Sequence, residues 1–375
     1  MSLLDAANYT AAIQASTLST WCYSIFASNE AREPRLPYAT GQYRALTLCS
    51  ERPRCINFMS QPPQFPEVPA VAHVQGAEVR HVTIDGVHWR YLFAGSGPPL
   101  LLIHGFLGYS WSWRFNIAPL SRHFSVYAPD LPGCGFSPRL AAKECALTGD
   151  AERLLAFMRH FDMQSADLVG SSRGGGLAII LAALAAQQNE LHRVRRLVLV
   201  SPINPWSTHG RLLTRVLATS LGGLYVLHVQ PHLPSVARRY FTALYGDPRR
   251  ITPGTFEAYA AGLQAPGSFE HLLKILRSWR HDLAAIGDSL PAISLPTLLL
   301  WGSRDRAVYP ASAFELHQRL ENSSVVTLDG VGHLPYEEVP EEFNRILCDF
   351  LLPNVPAQTT AGISAATAEP THSAS

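Results

Sequence analysis

The amino-acid sequence predicts an α/β fold: a mostly parallel, eight-stranded sheet with helices on both faces and an inserted helical cap. Segments with strand-like and helix-like patterns alternate through most of the 375-residue chain. Residues 100–103 are continuously apolar, and residues 297–300 are a threonine followed by three leucines, as expected for strands that are buried on both faces. About ninety residues separate the strand that ends at Val200 from the strand that starts at Pro296, far more than an ordinary connection needs.

The order of elements follows from these patterns. Strands are expected at residues 79–84, 87–93, 99–103, 124–128, 166–170, 194–200, 296–301 and 324–328. Helices of the core are expected at residues 113–122, 148–161, 173–188, 310–320 and 340–351. The last of these helices opens with Pro340 and two glutamates, a favourable start. Helical spacing of apolar residues in 211–224, 233–245 and 268–286 predicts the cap.

Composition divides the chain into regions. Residues 1–78 are predicted to be an N-terminal extension, partly disordered, because they are rich in proline from 34 to 69 and lack sustained periodicity. A segment that packs on the core stays open as the alternative. The core is expected to comprise residues 79–205 and 291–352, and the helical cap residues 206–290. Residues 353–375 are rich in Ala, Thr and Ser and are predicted to be a disordered tail.

A glycine-flanked serine is the most informative motif. The letters GSSRG at residues 170–174 stand between a predicted strand and a predicted helix, which is typical of a nucleophile elbow. Such a turn requires small residues two positions before and two positions after the nucleophile. Gly170 and Gly174 meet that requirement for Ser172. A turn centred on Ser171 would place a valine and an arginine at those positions, so Ser172 is the candidate.

A serine nucleophile needs a base and a group that orients the base. Asp305 follows the predicted strand 296–301, and His333 follows the predicted strand 324–328. Loops at the carboxyl ends of strands carry the chemistry in doubly wound sheets, and the order serine, acid, histidine is typical of this elbow. The sequence therefore predicts a catalytic triad of Ser172, Asp305 and His333.

Backbone N–H groups near the serine are candidates for an oxyanion hole. One belongs to Arg173, at the start of the helix after Ser172, and the other to Phe106, in the loop after the strand 99–103. His104 and Gly105 are interpreted as residues that shape this loop. The Arg173 side chain is interpreted as solvated or structurally paired; a contact with an anionic substrate or with a carboxylate of the cap stays open.

Two other residues near the predicted site receive structural interpretations. Asp130 is a rival acid, but it precedes Ser172, and the Pro/Gly-rich turn after it favours a role in fixing the loop. Cys134 lies in the same turn without an apparent base partner in the sequence, so we interpret it as incidental. The loop after the predicted strand 194–200 is a second place where the acid of such a triad can stand. It reads Ser-Pro-Ile-Asn and contains no carboxylate, so it offers no rival to Asp305.

Five motifs together resemble the α/β-hydrolase superfamily: HGF at 104–106, DLPGCGFS at 130–137, GSSRG at 170–174, WGSRD at 301–305 and GHLPYEEVP at 332–340. They are most similar to the branch with a helical cap, which holds esterases, epoxide hydrolases, haloalkane dehalogenases and C–C hydrolases. The resemblance covers residues 79–352. Epoxide hydrolases and dehalogenases carry aspartate at the elbow, so Ser172 disfavours their alkyl-ester chemistry.

Charge and cysteine patterns exclude several classes. The 30 basic and 29 acidic residues nearly cancel, which removes a case for a nucleic-acid partner. The six cysteines show neither metal spacing nor a compact disulfide pattern. With no phosphate-binding glycine loop or metal cluster in the sequence, no cofactor and no metal are expected.

Targeting signals are weak. The run at residues 176–186 is too short to span a membrane, and the N-terminus lacks a signal-peptide pattern. A cytoplasmic location is expected, with organellar targeting by the N-terminal extension left open. The oligomeric state is not predicted.

The expected function is that of a serine hydrolase that cleaves a small or medium carboxylic ester through an acyl-enzyme intermediate. Three alternatives stay open. The same triad serves C–C bond hydrolysis and acyl transfer to an alcohol, and a non-catalytic ligand sensor can retain all three residues.

Overall fold

The computed structural model describes residues 67–139, 145–207 and 211–352. These residues form a sheet of eight strands: β1 (Glu78–Ile84), β2 (Val87–Ala94), β3 (Pro99–Ile103), β4 (Ser125–Asp130), β5 (Ala166–Ser171), β6 (Val194–Val200), β7 (Thr297–Gly302) and β8 (Ser323–Leu328). Their spatial order is β1-β2-β4-β3-β5-β6-β7-β8. Strand β2 runs antiparallel to β1 and β4, and all other neighbours are parallel. The predicted mostly parallel sheet is confirmed.

Helices cover both faces of this sheet. The core helices are α1 (Ile117–Leu120), α2 (Leu147–His160), α3 (Arg173–Gln187), α9 (Ala311–His317), α10 (Pro335–Glu338) and α11 (Pro340–Leu351). In β3, Leu101 packs in a cluster with residues of α2 and α3, whereas Leu100 and Leu102 pack in a second cluster with residues of α1 and α11. The continuous apolar run therefore reflects burial on both sides.

Between β6 and β7, the described residues form five helices: α4 (Arg211–Ala218), α5 (Ser220–His228), α6 (Pro234–Thr242), α7 (Thr255–Leu263) and α8 (Ser268–Ser289). We call residues 206–290 the helical insertion. The segment 211–224, whose helical spacing predicted helical structure in the cap, is divided between two helices. The chain bends by 87° between α4 and α5, because the Thr219 side chain accepts a hydrogen bond from the Gly222 N–H and caps a new helix.

The predicted helix at residues 113–122 is not continuous in the structure. A 3₁₀ turn, Ser110–Trp113, is followed by the short helix α1. Pro119 has no N–H and is tolerated only in the first turn of a helix, so the helix restarts at Ile117. Helix α7 lies within the predicted helical cap, although the sequence analysis gave no separate range for it.

Part of the predicted N-terminal extension packs against the core. Residues 67–77, assigned to the extension, include a 3₁₀ turn at Ala70–Ala72. Ala72 is buried in a cluster with Tyr109, Trp111 and Phe136 of the core. The rest of the predicted extension, residues 1–66, and the predicted tail, residues 353–375, lie outside the described residues.

Among the described residues, no single helix combines the length and the apolar character needed to cross a bilayer. The sharply bent segment made of residues 211–218 and 220–232 meets these criteria only when its two parts are counted together.

Candidate active site

Ser172 occupies the sharp turn between β5 and α3. Its backbone angles, φ 52° and ψ −115°, lie in a region that residues with a side chain rarely adopt. The surrounding structure holds this strain: the Ser172 N–H donates to the carbonyl of Val200 at 2.8 Å, and the N–H of Ile203 donates to the carbonyl of Ser172 at 3.0 Å. Ser172 retains 9% exposure, so the turn presents a nearly buried hydroxyl.

The two flanking glycines are required by close packing. A Cβ at Gly170 would lie 2.3 Å from the carbonyl oxygen of Gly174, and a Cβ at Gly174 would lie 2.4 Å from the carbonyl oxygens of Ile103 and His104. No real Cβ tolerates such distances. The small residues predicted from the sequence thus allow the start of α3 to cross close to β3 and β5.

Asp305 and His333 meet in the loops after β7 and β8. The Nδ1–H of His333 donates to Oδ2 of Asp305 at 2.8 Å, because a carboxylate can only accept. The other carboxylate oxygen accepts the N–H groups of Ala307 and Val308 at 2.8 and 2.9 Å. Both residues are buried, so the imidazole is held in one orientation.

Electrostatics keep Asp305 ionised. Burial raises the pKa of this carboxyl, but the nearby His333, its hydrogen bond, the Val308 N–H and the Ser201 hydroxyl together outweigh burial, and the pKa is lowered. The anion is therefore available to stabilise a positive charge on the imidazole.

The three loops lie at one edge of the sheet, because backbone hydrogen bonds link the strand ends in sequence. The N–H of Ser201 donates to Leu300 and the N–H of Ser303 donates to Leu328, which ties β6 to β7 and β7 to β8. The Ser172 hydroxyl makes no hydrogen bond to His333 or to any other described residue. The structure thus joins Asp305 to His333 directly and brings Ser172 to the same edge.

The loop after β3 approaches the serine from the other side. A Cβ at Gly105 would lie 3.1 Å from the Cβ of Ser172. The His104 ring fixes this loop: Nδ1–H donates to the Gly105 carbonyl at 2.9 Å, and Nε2 accepts the Leu131 N–H at 3.0 Å. Burial lowers the pKa of His104, in keeping with a neutral, structural ring. The N–H of Phe106 donates to no acceptor in the described part of the chain.

The Arg173 side chain is buried and paired. Its guanidinium lies 3.1 Å from Asp150 of α2 and 3.8 Å from Asp282 of α8, and it donates to the Cys145 carbonyl at 2.7 Å. The sequence left open whether Arg173 contacts a carboxylate of the cap, and the structure shows such a contact with Asp282 of the helical insertion. The Arg173 N–H, at the first position of α3, has no acceptor among the described residues, as expected for a helix start.

Asp130 has a structural role. Its carboxylate is buried against Arg90 at 2.9 Å and accepts the N–H groups of Ser110 and Phe136 at 2.8 and 2.9 Å. These three donors fix the turn after β4, and Asp130 makes no hydrogen bond to His333.

Cys134 does have a partner that the sequence did not reveal. His271 of α8 lies between two thiols, with Nε2 3.7 Å from Cys134 and Nδ1 3.3 Å from Cys145. Burial raises the pKa of the Cys134 thiol to about 12. The pKa of His271 is lowered to about 3, first by burial and then by neighbouring cations, Arg173 foremost. Thiol and imidazole therefore stay neutral, and no thiolate is activated.

The neutral His271 predicts a pH effect on stability. An unfolded histidine has a pKa near 6.5, so between about pH 6.5 and pH 3 the unfolded chain binds a proton that the folded chain does not. The free energy of unfolding should fall as the pH falls through this window. In His271→Gln this dependence should be shallower, measured as Tm against pH. The exposed His192→Gln is the matched control, and equal slopes in wild type and His271→Gln would contradict the assignment.

Two acidic residues after His333 were missed. Glu338 accepts the N–H of Gly332 at 2.6 Å and the N–H of Gly246 at 3.0 Å, while the N–H of His333 donates to the Leu244 carbonyl at 2.6 Å. The insertion is therefore fastened to the histidine loop. The sequence signal for both residues is the adjacent carboxylate pair in the GHLPYEEVP motif.

The adjacent Glu337 is buried and connects core and insertion residues through an ion pair and hydrogen bonds. It pairs with Arg114 at 2.8 Å and accepts the hydroxyls of Tyr245, at 2.8 Å, and Tyr259. Within residues 67–139, 145–207 and 211–352, no group of three or more His, Cys, Asp or Glu side chains could hold a metal ion.

Comparisons with known proteins agree with this architecture. The dihydrolipoyllysine-residue acetyltransferase component of an acetoin cleaving system, from Pseudomonas putida, is 29% identical over 287 residues, covering 74% of this chain and 70% of the relative. A 2-hydroxy-6-oxo-2,4-heptadienoate hydrolase from a strain of the same species is 27% identical over 287 residues, covering 72% of this chain and 95% of the relative.

The fold is found among solved structures too. The epoxide hydrolase CorEH superposes with a TM-score of 0.65 at 20% identity, covering 74% of this chain and 99% of that one. At that identity the likeness concerns the fold alone. A profile of the alpha/beta hydrolase fold family matches residues 98–340, more than half of the chain. The chain therefore belongs to the α/β-hydrolase family.

Proposed function

We propose that this member of a hydrolase family is a serine hydrolase that cleaves a small or medium carboxylic ester through an acyl-enzyme intermediate. The observation that carries the proposal is the buried Asp305–His333 pair, which lies at the same sheet edge as Ser172 on its strained turn. A base that is already oriented by a carboxylate, at the same sheet edge as a serine on a strained elbow turn, is the arrangement that nucleophilic acyl transfer needs.

In the first step, Oγ of Ser172 attacks the ester carbonyl carbon while Nε2 of His333 takes the hydroxyl proton. The carbonyl oxygen becomes an oxyanion, which the N–H groups of Phe106 and Arg173 stabilise. His333 then gives the proton to the departing alcohol oxygen as the C–O bond breaks. Asp305 stabilises the imidazolium throughout.

In the second step, His333 takes a proton from water, and the resulting hydroxide attacks the acyl-serine carbonyl. Collapse of the second tetrahedral intermediate returns the proton to Oγ of Ser172 and releases the acid. Ser172 and His333 are not hydrogen-bonded to each other in the structure. This is compatible with the mechanism, because catalytic hydrogen bonds often form or shorten only when substrate binds.

The helical insertion is proposed to serve as the cap over this site. Support comes from the hydrogen bond between the His333 N–H and the Leu244 carbonyl, and from the edge-on contact of Phe106 with Trp279 of α8, at 5.4 Å between ring centroids. Both contacts place insertion residues against groups with a proposed catalytic role.

A C–C bond hydrolase is the second candidate, because the heptadienoate hydrolase relative matches over 95% of its own length. In that reaction the same triad would cleave a bond beside a ketone. The two candidates differ in the substrate they turn over and share the serine.

The test is a substrate panel combined with active-site labelling. We expect brisk hydrolysis of short p-nitrophenyl esters, and covalent labelling by a fluorophosphonate probe at Ser172 as located by peptide mass spectrometry. Turnover of a 2-hydroxy-6-oxo-dienoate with negligible ester hydrolysis would favour the C–C hydrolase. Absence of labelling in folded protein would reject both and favour the ligand sensor.

A further inference from the structure

The helical insertion carries an unusual exposed apolar surface. Eight of the thirteen large apolar side chains that are exposed in the described residues lie on or between α4, α5 and α6: Leu212, Leu213, Val216, Leu221, Leu224, Val229, Val236 and Tyr240. Leu221 is 81% exposed and Leu212 is 75% exposed. Clustering of this kind marks an interaction surface, whereas single exposed apolar residues do not. We call these eight residues the apolar face.

The residues of the apolar face do not belong to the buried cluster that holds the insertion together. Helix α5 turns Val226 inward, where it forms a buried cluster with Leu273 and Leu276 of α8. Leu221 and Leu224, three residues apart, share the outward side of the same helix. The helix is therefore anchored through one side, and the outward leucines are not needed for that core.

The charge of this region is one-sided. The sequence contains no Asp or Glu from residue 191 to residue 246, although the whole chain holds 29 of them and is close to neutral. Four arginines, at positions 211, 215, 238 and 239, lie within α4 and α6. Arg215 and Arg239 are exposed and form no ion pair with any described residue. The apolar face is thus accompanied by unneutralised positive charge.

A concave surface continues this basic region. A cavity of about 600 Å³ is lined by Ser235, Arg238, Arg239 and Thr242 of α6, together with Arg306. Arg238 is also paired with the exposed Glu257 at 3.1 Å. Guanidinium groups beside hydroxyls are well suited to phosphate oxygens. Because α6 also carries Val236 and Tyr240, the cavity adjoins the apolar face.

We propose that α4, α5 and α6 dock onto the surface of an anionic phospholipid membrane. The apolar face enters the boundary between headgroups and acyl chains, and the arginines contact lipid phosphates. Basic helices with an outward apolar side are typical of interfacial binding. A second copy of this chain fits less well, because a two-fold interface would oppose the same arginines across the contact.

Vesicle sedimentation with the full chain tests this proposal. Binding is expected to vesicles of phosphatidylcholine with about a third phosphatidylglycerol, and to fall at least about tenfold with phosphatidylcholine alone or at 1 M salt, where surface charge is screened. Leu221→Asp should lower the partition coefficient about tenfold. Arg215→Gln and Arg239→Gln should each lower it about fivefold.

Matched controls lie outside the insertion. Phe314→Asp removes an apolar residue of α9 that is 61% exposed, and Arg345→Gln removes an exposed charge of α11; both should bind like wild type. Ser172→Ala should also bind fully, so a failure of docking is distinct from a failure of the catalytic proposal. Circular dichroism verifies that each variant is folded.

Three outcomes would overturn the proposal. No vesicle binding by the folded full chain would do so, and so would equal binding to neutral and anionic vesicles. Concentration-dependent dimers that Leu221→Asp abolishes, without vesicle binding, would assign the apolar face to a second copy.

Discussion

Replacing Ser172 with alanine should lower kcat for a p-nitrophenyl ester by about 10⁵-fold or more, because acyl transfer loses its nucleophile. The substitution removes one oxygen and leaves the Cβ in place, so the packing of the turn is retained. Tm should stay close to that of wild type. Initial rates with purified protein, together with thermal unfolding, measure both quantities.

Ser171→Ala is the matched control for this variant. The Ser171 hydroxyl is buried and lies 3.4 Å from the hydroxyl of Tyr336, so its loss should cost about 1 kcal/mol of stability. Turnover should stay within a few fold of wild type. Full activity in Ser172→Ala, or loss of activity confined to Ser171→Ala, would remove Ser172 from the mechanism.

Asp305→Asn should lower kcat by about 10⁴-fold, because it should hold His333 in the tautomer that cannot act as a base toward Ser172. The N–H groups of Ala307 and Val308 both point at Oδ1, so the amide of an asparagine would keep its oxygen there and turn its NH₂ toward His333. Nδ1 would then have to accept, and Nε2 would carry the proton. A protonated Nε2 cannot take the proton of Ser172. Steady-state kinetics provide the measurement.

Asp130→Asn separates a catalytic acid from a structural one. It leaves Arg90 buried without its anion, which should cost about 3–5 kcal/mol of stability, seen as a lower Tm. The kcat of the folded fraction should be nearly unchanged. If Asp130→Asn lost kcat while Asp305→Asn kept it, Asp130 would be the acid.

Local patterns predicted the sheet well. Strands β3 and β6 begin and end where the sequence placed them, because both are apolar runs bounded by turns. The glycines at 170 and 174 were predicted for the reason the structure shows: neighbouring backbone leaves no room for a Cβ. Each of these features depends on residues that are close together in sequence.

Features that depend on distant contacts were not predictable. The break between α4 and α5 was missed, because helical spacing of leucines continues through Thr219. His271 lies 137 residues from Cys134, and Glu338 reaches 92 residues back to Gly246. One sequence carries no signal for such pairs. The loops of Asp305 and His333, by contrast, were predictable because parallel strands end at the same edge.

If the helical insertion is the cap, as proposed, the hydrogen bonds between residues 244–246 and the histidine loop limit how a substrate can enter. Two hydrogen bonds, from the His333 N–H to the Leu244 carbonyl and from the Gly246 N–H to the Glu338 carboxylate, would have to break if this end of the insertion swung away. Under that proposal, a substrate would enter at the opposite end of the insertion, which would pivot about residues 244–246. In such an arrangement the His333 imidazole would keep its orientation toward Asp305 while the far end of the insertion moves. The base would then not need to be realigned before each turnover.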